Sequence, residues 1–276
     1  MSETKTPLVS VVMPVFNAEN YLAISVKSVL NQTFQKFEFI IIDDGSKDES
    51  LKIARKFAQN DRRVKVIARR VHTGICQSLN AGLRVARGKY LARMDADDFS
   101  YPKRLELQYN FLEKHPQAVI CGGTIAVCNQ NLKVLNTRKY PIQDKEIRQK
   151  ILRLNPFAHP TIMVRKTALL KAGGYNPKYC PAEDYELYLR LGQFGQFANL
   201  NSRLLKLRVH SDSISAGKIR QQAKLNYFLR TKVAVKYDYH PTIRDKVYFR
   251  FNQIGIYLIP NCLKFRVYNL LRSFLK

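Results

Sequence analysis

From residue 8 to residue 115, short apolar runs of strand length alternate with amphipathic stretches of helix length. No other feature narrows the possible folds as much. Residues 8–16 (LVSVVMPVF) are an apolar, β-branched strand candidate. Asn17 and Asn20 are candidate N-caps for a helix over Ala23–Asn31, with Leu22, Val26, Val29 and Leu30 as its apolar stripe. Phe37–Ile42 has the character of a strand covered on both faces. Ser46-Lys47-Asp48-Glu49 then reads as a capping box opening the next helix. Strand Val64–Ala68, helix Ile75–Ala86, strand Tyr90–Met94 and helix Lys103–His115 follow. Such alternation predicts a mostly parallel, three-layer α/β sheet. After residue 116 the pattern becomes irregular. Strands are expected at Ala118–Val127, Thr161–Val164 and Leu204–Val209, and helices at Lys145–Leu154 and Ala182–Leu191.

Charge and cysteine usage restrict the function classes. Apolar residues make up 46% of the 276, enough for a core, so a disordered basic tail is excluded. A net charge of +26 calls for an anionic partner. Residues 217–276 hold thirteen Lys or Arg against two Asp, the densest part. Five cysteines, an odd count without C-x-x-C spacing, argue against a disulfide scaffold and a zinc ribbon, and reduced thiols fit the cytoplasm. Cys121 and Cys128 read as buried thiols. Met1–Pro7 lacks the order of a signal peptide, and no apolar stretch reaches the roughly 20 residues that span a bilayer.

In parallel sheets ligands sit at the C-terminal ends of strands, and the polar clusters fall there. Asn17 follows the first strand, Asp43 and Asp44 the second, and Asp95-Ala96-Asp97-Asp98 the fourth. Pro14-Val15-Phe16-Asn17 stands where a dinucleotide site would carry G-x-G-x-x-G, so a standard NAD site is excluded. Three carboxylates in four positions repel one another, and magnesium or manganese would relieve the repulsion. The alternative is a solvated acidic turn capping the following helix. Asp43 and Asp44 suit hydrogen bonding to a nucleobase or ribose, or helix capping, or both. Glu183-Asp184 is an acidic pair at a helix start, where the helix dipole alone would favour it.

Taken in order, Val9-Ser-Val-Val-Met-Pro-Val-Phe-Asn17, Ser28-Val-Leu-Asn-Gln-Thr33, Ile42-Asp-Asp-Gly-Ser46 and Asp95-Ala-Asp-Asp98 resemble glycosyltransferase family two, of the GT-A fold. Asn155-Pro-Phe-Ala-His-Pro-Thr161, Gly173-Gly-Tyr175, Ala182-Glu-Asp184 and Arg208-Val-His210 continue the likeness, which covers about residues 8–215. The resemblance implies inverting transfer from a nucleotide sugar, with UDP the expected carrier. Phe16 would lie by the base, Asp44 would bind uracil or ribose, and Pro14, Asn17, Asp43 and Asp95 would complete the donor side. Asp97, with Asp95 and Asp98, would hold Mn2+ or Mg2+ on the diphosphate, and Asp184 would be the general base. His210 is either a further metal or diphosphate contact or a surface histidine near a strand end. His159 and Glu183 are assigned to the acceptor side. No Gln-x-x-Arg-Trp occurs and the chain has no Trp, unlike processive members, which favours adding one sugar or a few.

The expected organisation is a donor half over 1–100, an acceptor half over 101–215 and a basic helical extension over 216–276. In that extension Ile243, Val247, Phe251, Ile254 and Leu258 form one apolar stripe, and Leu263, Val267, Leu270 and Phe274 another. The stripes fit either an anionic membrane surface or packing on the catalytic domain. The expected acceptor is a lipid-linked or surface glycan, met on the cytoplasmic face of the inner membrane. A basic nucleic-acid-binding protein and a nucleotidyltransferase are the alternatives. Neither a nucleic-acid-binding motif nor a Gly-rich basic loop after strand one is present, so no nucleic-acid partner is expected.

Overall fold

The computed structural model describes residues 6–210 and 219–258. Four strands, β1 (Val9–Val15), β2 (Phe37–Asp43), β3 (Val64–Ala68) and β4 (Tyr90–Arg93), alternate with helices α1 (Glu19–Leu30), α2 (Ser50–Asn60) and α3 (Ile75–Val85). β5 (Phe99–Ser100), α4 (Arg104–Lys114), β6 (Ala118–Cys128) and β7 (Val134–Arg138) follow. Then come α5 (Asp144–Lys150), β8 (Met163–Arg165), α6 (Lys166–Lys171), α7 (Glu183–Leu191) and β9 (Gln196–Arg208).

Among the described residues one sheet runs β3-β2-β1-β4-β8-β6-β9-β5, with β7 paired to β6. Its first four strands are parallel, as the alternation predicts. β8 then enters antiparallel between β4 and β6, and β6 and β9 run parallel over their length. The second half is thus mixed, and its irregular sequence reflects that.

Side-chain alternation along β1 builds the layers. Val9, Val11, Met13 and Val15 pack with Leu22, Val26 and Val29 of α1 and Leu105 and Leu112 of α4. Val12, with Ile40 and Ile42, packs with Leu79 and Leu83 of α3 in the core that also holds α7. Chain reversal at β1 puts β2 on one side and β4 on the other, which is a topological switch point. β1 and β4 pair only through Val12 and Arg93, with a last bond from Met94 N–H to Val12 C=O at 3.1 Å, and then part. Pro14 lies just beyond. Its missing N–H would face the β4 side, where no ladder bond remains to be made.

The expected caps are replaced by cross-loop ones. α1 starts at Glu19, not after Asn20, and neither Asn17 nor Asn20 caps it. Ser46 and Glu49 form no capping box. Instead Asp48 Oδ2 accepts from Glu19 N–H (3.0 Å), Glu19 Oε2 accepts from Glu49 N–H (2.9 Å), and Ser50 Oγ accepts from Ala18 N–H (2.8 Å). Two neighbouring helix starts satisfy each other's orphan donors, which a sequence window cannot display. α5 ends four residues before the expected Leu154, and the last strand expected at Leu204–Val209 is the second half of the longer β9.

Beyond the catalytic layers, α8 (Ile219–Phe228) continues through irregular helical turns to Tyr237, and α9 (Ile243–Leu258) follows. Leu229, Val233, Ala234, Tyr239 and Phe249 join the core that α7 occupies, and Asp245 pairs with Arg153 at 2.9 Å. The segment therefore packs on the domain. The first three residues of its predicted stripe nevertheless face outward: Ile243 is 81% exposed, Val247 50% and Phe251 69%, while the side chains of Ile254 and Leu258 lie outside the described residues. The packing reading thus describes one face of α9, while Ile243, Val247 and Phe251 lie on the exposed one. The stripe over Leu263–Phe274 lies outside the described residues. No helix among the described residues is long and apolar enough to cross a membrane.

Candidate active site

The donor end is built where β1 and β2 stop. Asn17 takes a left-handed conformation (φ 48°), tolerated by Asn better than by most residues. Its Oδ1 accepts from Lys47 N–H (2.9 Å) and its own N–H donates to Ser46 Oγ (3.1 Å), tying the two loops together. Asp43 is buried. One oxygen accepts from Ser46 N–H (3.2 Å), and Oδ1 has no partner among the described residues.

Asp44, also buried, organises the loop after β3. Its carboxylate accepts from Gly74 N–H (2.7 Å), Thr73 Oγ1 (2.9 Å) and Thr73 N–H (3.1 Å), and meets His72 Nδ1 at 2.9 Å. Gly45 makes this crossing possible. At φ 78°, any Cβ there would stand 3.0 Å from the backbone of Val71 and His72. His72 is thereby held against Phe16, the rings stacked with centroids 3.9 Å apart. Phe16 is 40% exposed, so the pair presents an aromatic edge at the mouth of the crevice.

The acidic turn after β4 forms the next group. Oxygens of Asp95, Asp97 and Asp98 lie within 4.8 Å of one another. Asp95 pairs with Arg93. Asp98 Oδ1 accepts from Arg208 N–H (2.9 Å), while Asp98 Oδ2 is buried without a hydrogen-bond partner among the described residues. Burial and the neighbouring carboxylates push the Asp98 carboxyl well above the usual range. Burial likewise raises Asp95, with Arg93 opposing and Asp97 adding to the rise. Clustered hard oxygens, one of them unsatisfied, fit a magnesium- or manganese-type cation. His210, delivered by the end of β9, reaches this group through Asp97, its Nε2 at 2.9 Å from Oδ2.

The second acidic centre opens α7. Asp184 Oδ2 accepts from Asn155 Nδ2 at 3.0 Å. Burial raises its carboxyl above the usual range, against the lowering effects of Asn155, the Tyr185 N–H and Arg93. His159 Nε2 meets Tyr175 Oη at 3.0 Å, and burial, with Arg93 nearby, holds the imidazole well below its ordinary value and hence neutral. Gly173 and Gly174, at φ 81° and 70°, turn the chain so that Asn80 brackets Tyr175 through both its N–H and its C=O. A Cβ on Gly174 would lie 2.6 Å from Asn80 Oδ1.

Every expected site residue thus lies at the C-terminal edge of the parallel strands or on the facing segments from 155 to 210. Sequence reasoning missed Arg93. Buried at the end of β4, it pairs with Asp95 and its charge also acts on Asp98, Asp184 and Glu183. His72 and Thr73 were missed too, because their loop has no periodicity. Arg inside a buried strand is the one signal that pointed to Arg93, since such a charge demands carboxylates nearby.

Comparison with known proteins agrees with this geometry. Residues 10–174 match the sequence profile described as Glycosyl transferase family 2. The O-antigen biosynthesis glycosyltransferase WbnJ of Escherichia coli is 34% identical over 228 residues, covering 81% of this chain and 88% of its own. Staphylococcus aureus TarS, in a crystal structure with UDP-GlcNAc, superposes with a TM-score of 0.67 at 18% identity, covering 90% of this chain and 72% of that one. The mannosyltransferase PcManGT of Pyrobaculum calidifontis, in complex with GDP-Man and Mn2+, gives 0.64 at 16% identity, covering 95% and 72%. With the profile spanning more than half its length, the chain belongs to glycosyltransferase family 2, the nucleotide-sugar-dependent glycosyltransferases, and has their GT-A fold.

Proposed function

We propose that this enzyme transfers a single sugar, or a few, from a UDP-sugar to a hydroxyl of a lipid-linked or surface glycan, with inversion. The observation that carries the reading is the pair of acidic centres, Asp95–Asp98 and Asp184, both within electrostatic reach of the buried Arg93. One centre suits a diphosphate with its cation, the other a proton.

On the donor side, Phe16 and His72 offer a stacking edge for the base. Asp44 holds the loop that carries His72 and is assigned to the uracil or ribose, with Pro14, Asn17 and Asp43 completing the donor side. Asp95, Asp97 and Asp98 would hold Mn2+ or Mg2+, which neutralises the diphosphate leaving group. His210 orients Asp97. Asp184, its carboxyl raised by burial and oriented by Asn155, accepts the proton of the attacking hydroxyl. Inversion by a single displacement needs that one base and no protein nucleophile. Neutral His159 and Tyr175 line the acceptor side without adding charge.

The names of relatives such as WbnJ support a surface-polysaccharide acceptor. The exposed stripe of Ile243, Val247 and Phe251, flanked by exposed Arg244, Lys246 and Arg250, supports work at an anionic membrane surface, the cytoplasmic face of the inner membrane. The experiment is transfer or hydrolysis of a panel of nucleotide sugars with manganese. Turnover of a UDP-sugar that stops in EDTA is expected. Turnover of none, or equal turnover in EDTA, would remove the reading.

A further inference from the structure

Two thiols and a carboxyl converge beside the base, and nothing in the transfer chemistry uses the thiols. Cys76, in the first turn of α3, is buried. Cys180 follows the short turn Pro177–Tyr179 and is half-buried, giving the cluster a route to solvent. Glu183, the first residue of α7, is 6% exposed. One potential ligand atom from each lies within 4.8 Å of the other two. Glu183 Oε2 is buried and has no hydrogen-bond partner among the described residues, so the carboxyl group in this cluster keeps an unsatisfied oxygen.

We propose that Cys76, Cys180 and Glu183 form a site for a thiophilic divalent cation of the zinc class, separate from the all-oxygen group at Asp95–Asp98. Ligand softness separates the two. Thiolates select zinc-like ions, while carboxylates alone suit magnesium and manganese. Three protein ligands leave one tetrahedral position open, as in zinc sites that keep a water. Without a cation the cluster is close to neutral. The neighbouring Cys180 and burial push the Cys76 thiol up, and burial, with Asp184, pushes Glu183 up to about 8. Binding a cation releases the thiol and carboxyl protons to solvent, and its charge balances the anionic ligands that result. Occupancy fastens the start of α3, two residues after the Asp44-bound Gly74, to the start of α7 that carries Asp184.

The test uses the reduced full-length protein and Co2+ as a spectroscopic probe. Titration should produce thiolate-to-Co2+ charge-transfer absorption that saturates at one equivalent and is displaced by Zn2+. Cys180→Ser should abolish the absorption, and Cys76→Ser likewise; if Cys76→Ser does not fold, the half-buried Cys180 decides alone. Glu183→Gln should weaken Co2+ binding by about tenfold or more, as loss of a charged ligand does. Asp97→Ala and Cys262→Ser should keep the absorption, which separates this site from the donor metal and from the remaining thiols. No charge-transfer absorption, or absorption that survives in Cys180→Ser, overturns the proposal. So does a Cys76–Cys180 disulfide that re-forms in air after reduction, since the pair would then be a redox couple. Each of these readouts is independent of sugar transfer.

Discussion

Arg93 and Asp184 show how single residues acquire their roles only in the folded site. A guanidinium buried at the end of β4 requires compensating charge, and Asp95 supplies it directly. Asp184 is held differently, by one amide donor and by burial that favours its protonated form. A general base typically contributes about 10²–10⁴-fold, so Asp184→Asn should lower transfer by that order and leave donor affinity nearly unchanged. Glu183→Gln should lose much less. Steady-state kinetics with direct donor binding checks both, and a larger loss in Glu183→Gln would move the base to the other member of the pair. Asp95, Asp97 and Asp98 were legible in sequence because three adjacent acids in a basic chain stand out. Arg93 was not, since its partners are recognisable only once β4, α7 and the acidic turn face one crevice. Asp44 was legible as a carboxylate at the end of β2, but its hold on His72, Thr73 and Gly74 was hidden in a loop some thirty positions away.

At the scale of elements, the opposite ends of the same strands do different work. At the start of β1 and β2, Ser10 faces Glu38 in register, and Ser10 Oγ donates to Glu38 Oε1 at 2.7 Å. Lys65 Nζ at 2.8 Å and Arg87 N–H at 2.6 Å complete the cluster far from the crevice. Burial opposes the charge on Glu38, but Lys65, Arg87 and Ser10 outweigh it and hold the carboxyl below its ordinary 4.5. The stabilisation is therefore complete above that value and is lost as pH falls through the lower folded one. Glu38→Gln should destabilise the fold by about 1–3 kcal/mol near neutrality, the usual effect of losing charged hydrogen bonds to a buried group. The difference from wild type should shrink below about pH 4.5. Urea unfolding across pH measures this, and a difference independent of pH would contradict it. The parallel half was legible because β1 and β2 are seven-residue, mostly apolar runs and α1 to α3, of eleven or twelve residues, show a helical period. β5 and β8, of two and three residues, carry none. The mutual capping of α1 and α2 escaped for a related reason: it joins residues distant in sequence, whereas Asn17 and Ser46 looked locally competent.

For the whole molecule, the proposed membrane contact combines a charge of +26 with the exposed Ile243, Val247 and Phe251 of α9. Burying a Val or Phe side chain is worth about 1.5–3 kcal/mol, so Val247→Asp or Phe251→Asp should weaken binding to phosphatidylglycerol vesicles by about tenfold or more. Wild-type binding should also fall as salt screens the basic flanks. Vesicle co-sedimentation reads both, and unchanged binding in the double variant would place the membrane surface elsewhere. Because Leu229, Val233 and Phe249 share the core with α7, point variants test this where removal of the segment would unsettle the fold. The central claim is that Asp95, Asp97 and Asp98 bind a nucleotide-sugar diphosphate through a divalent cation. Its most direct test is calorimetric titration of UDP into wild type and Asp97→Ala, each with manganese and with EDTA. The account predicts binding to wild type that requires manganese and is lost in an Asp97→Ala protein of unchanged melting temperature. UDP binding that persists undiminished in EDTA and in Asp97→Ala would contradict it.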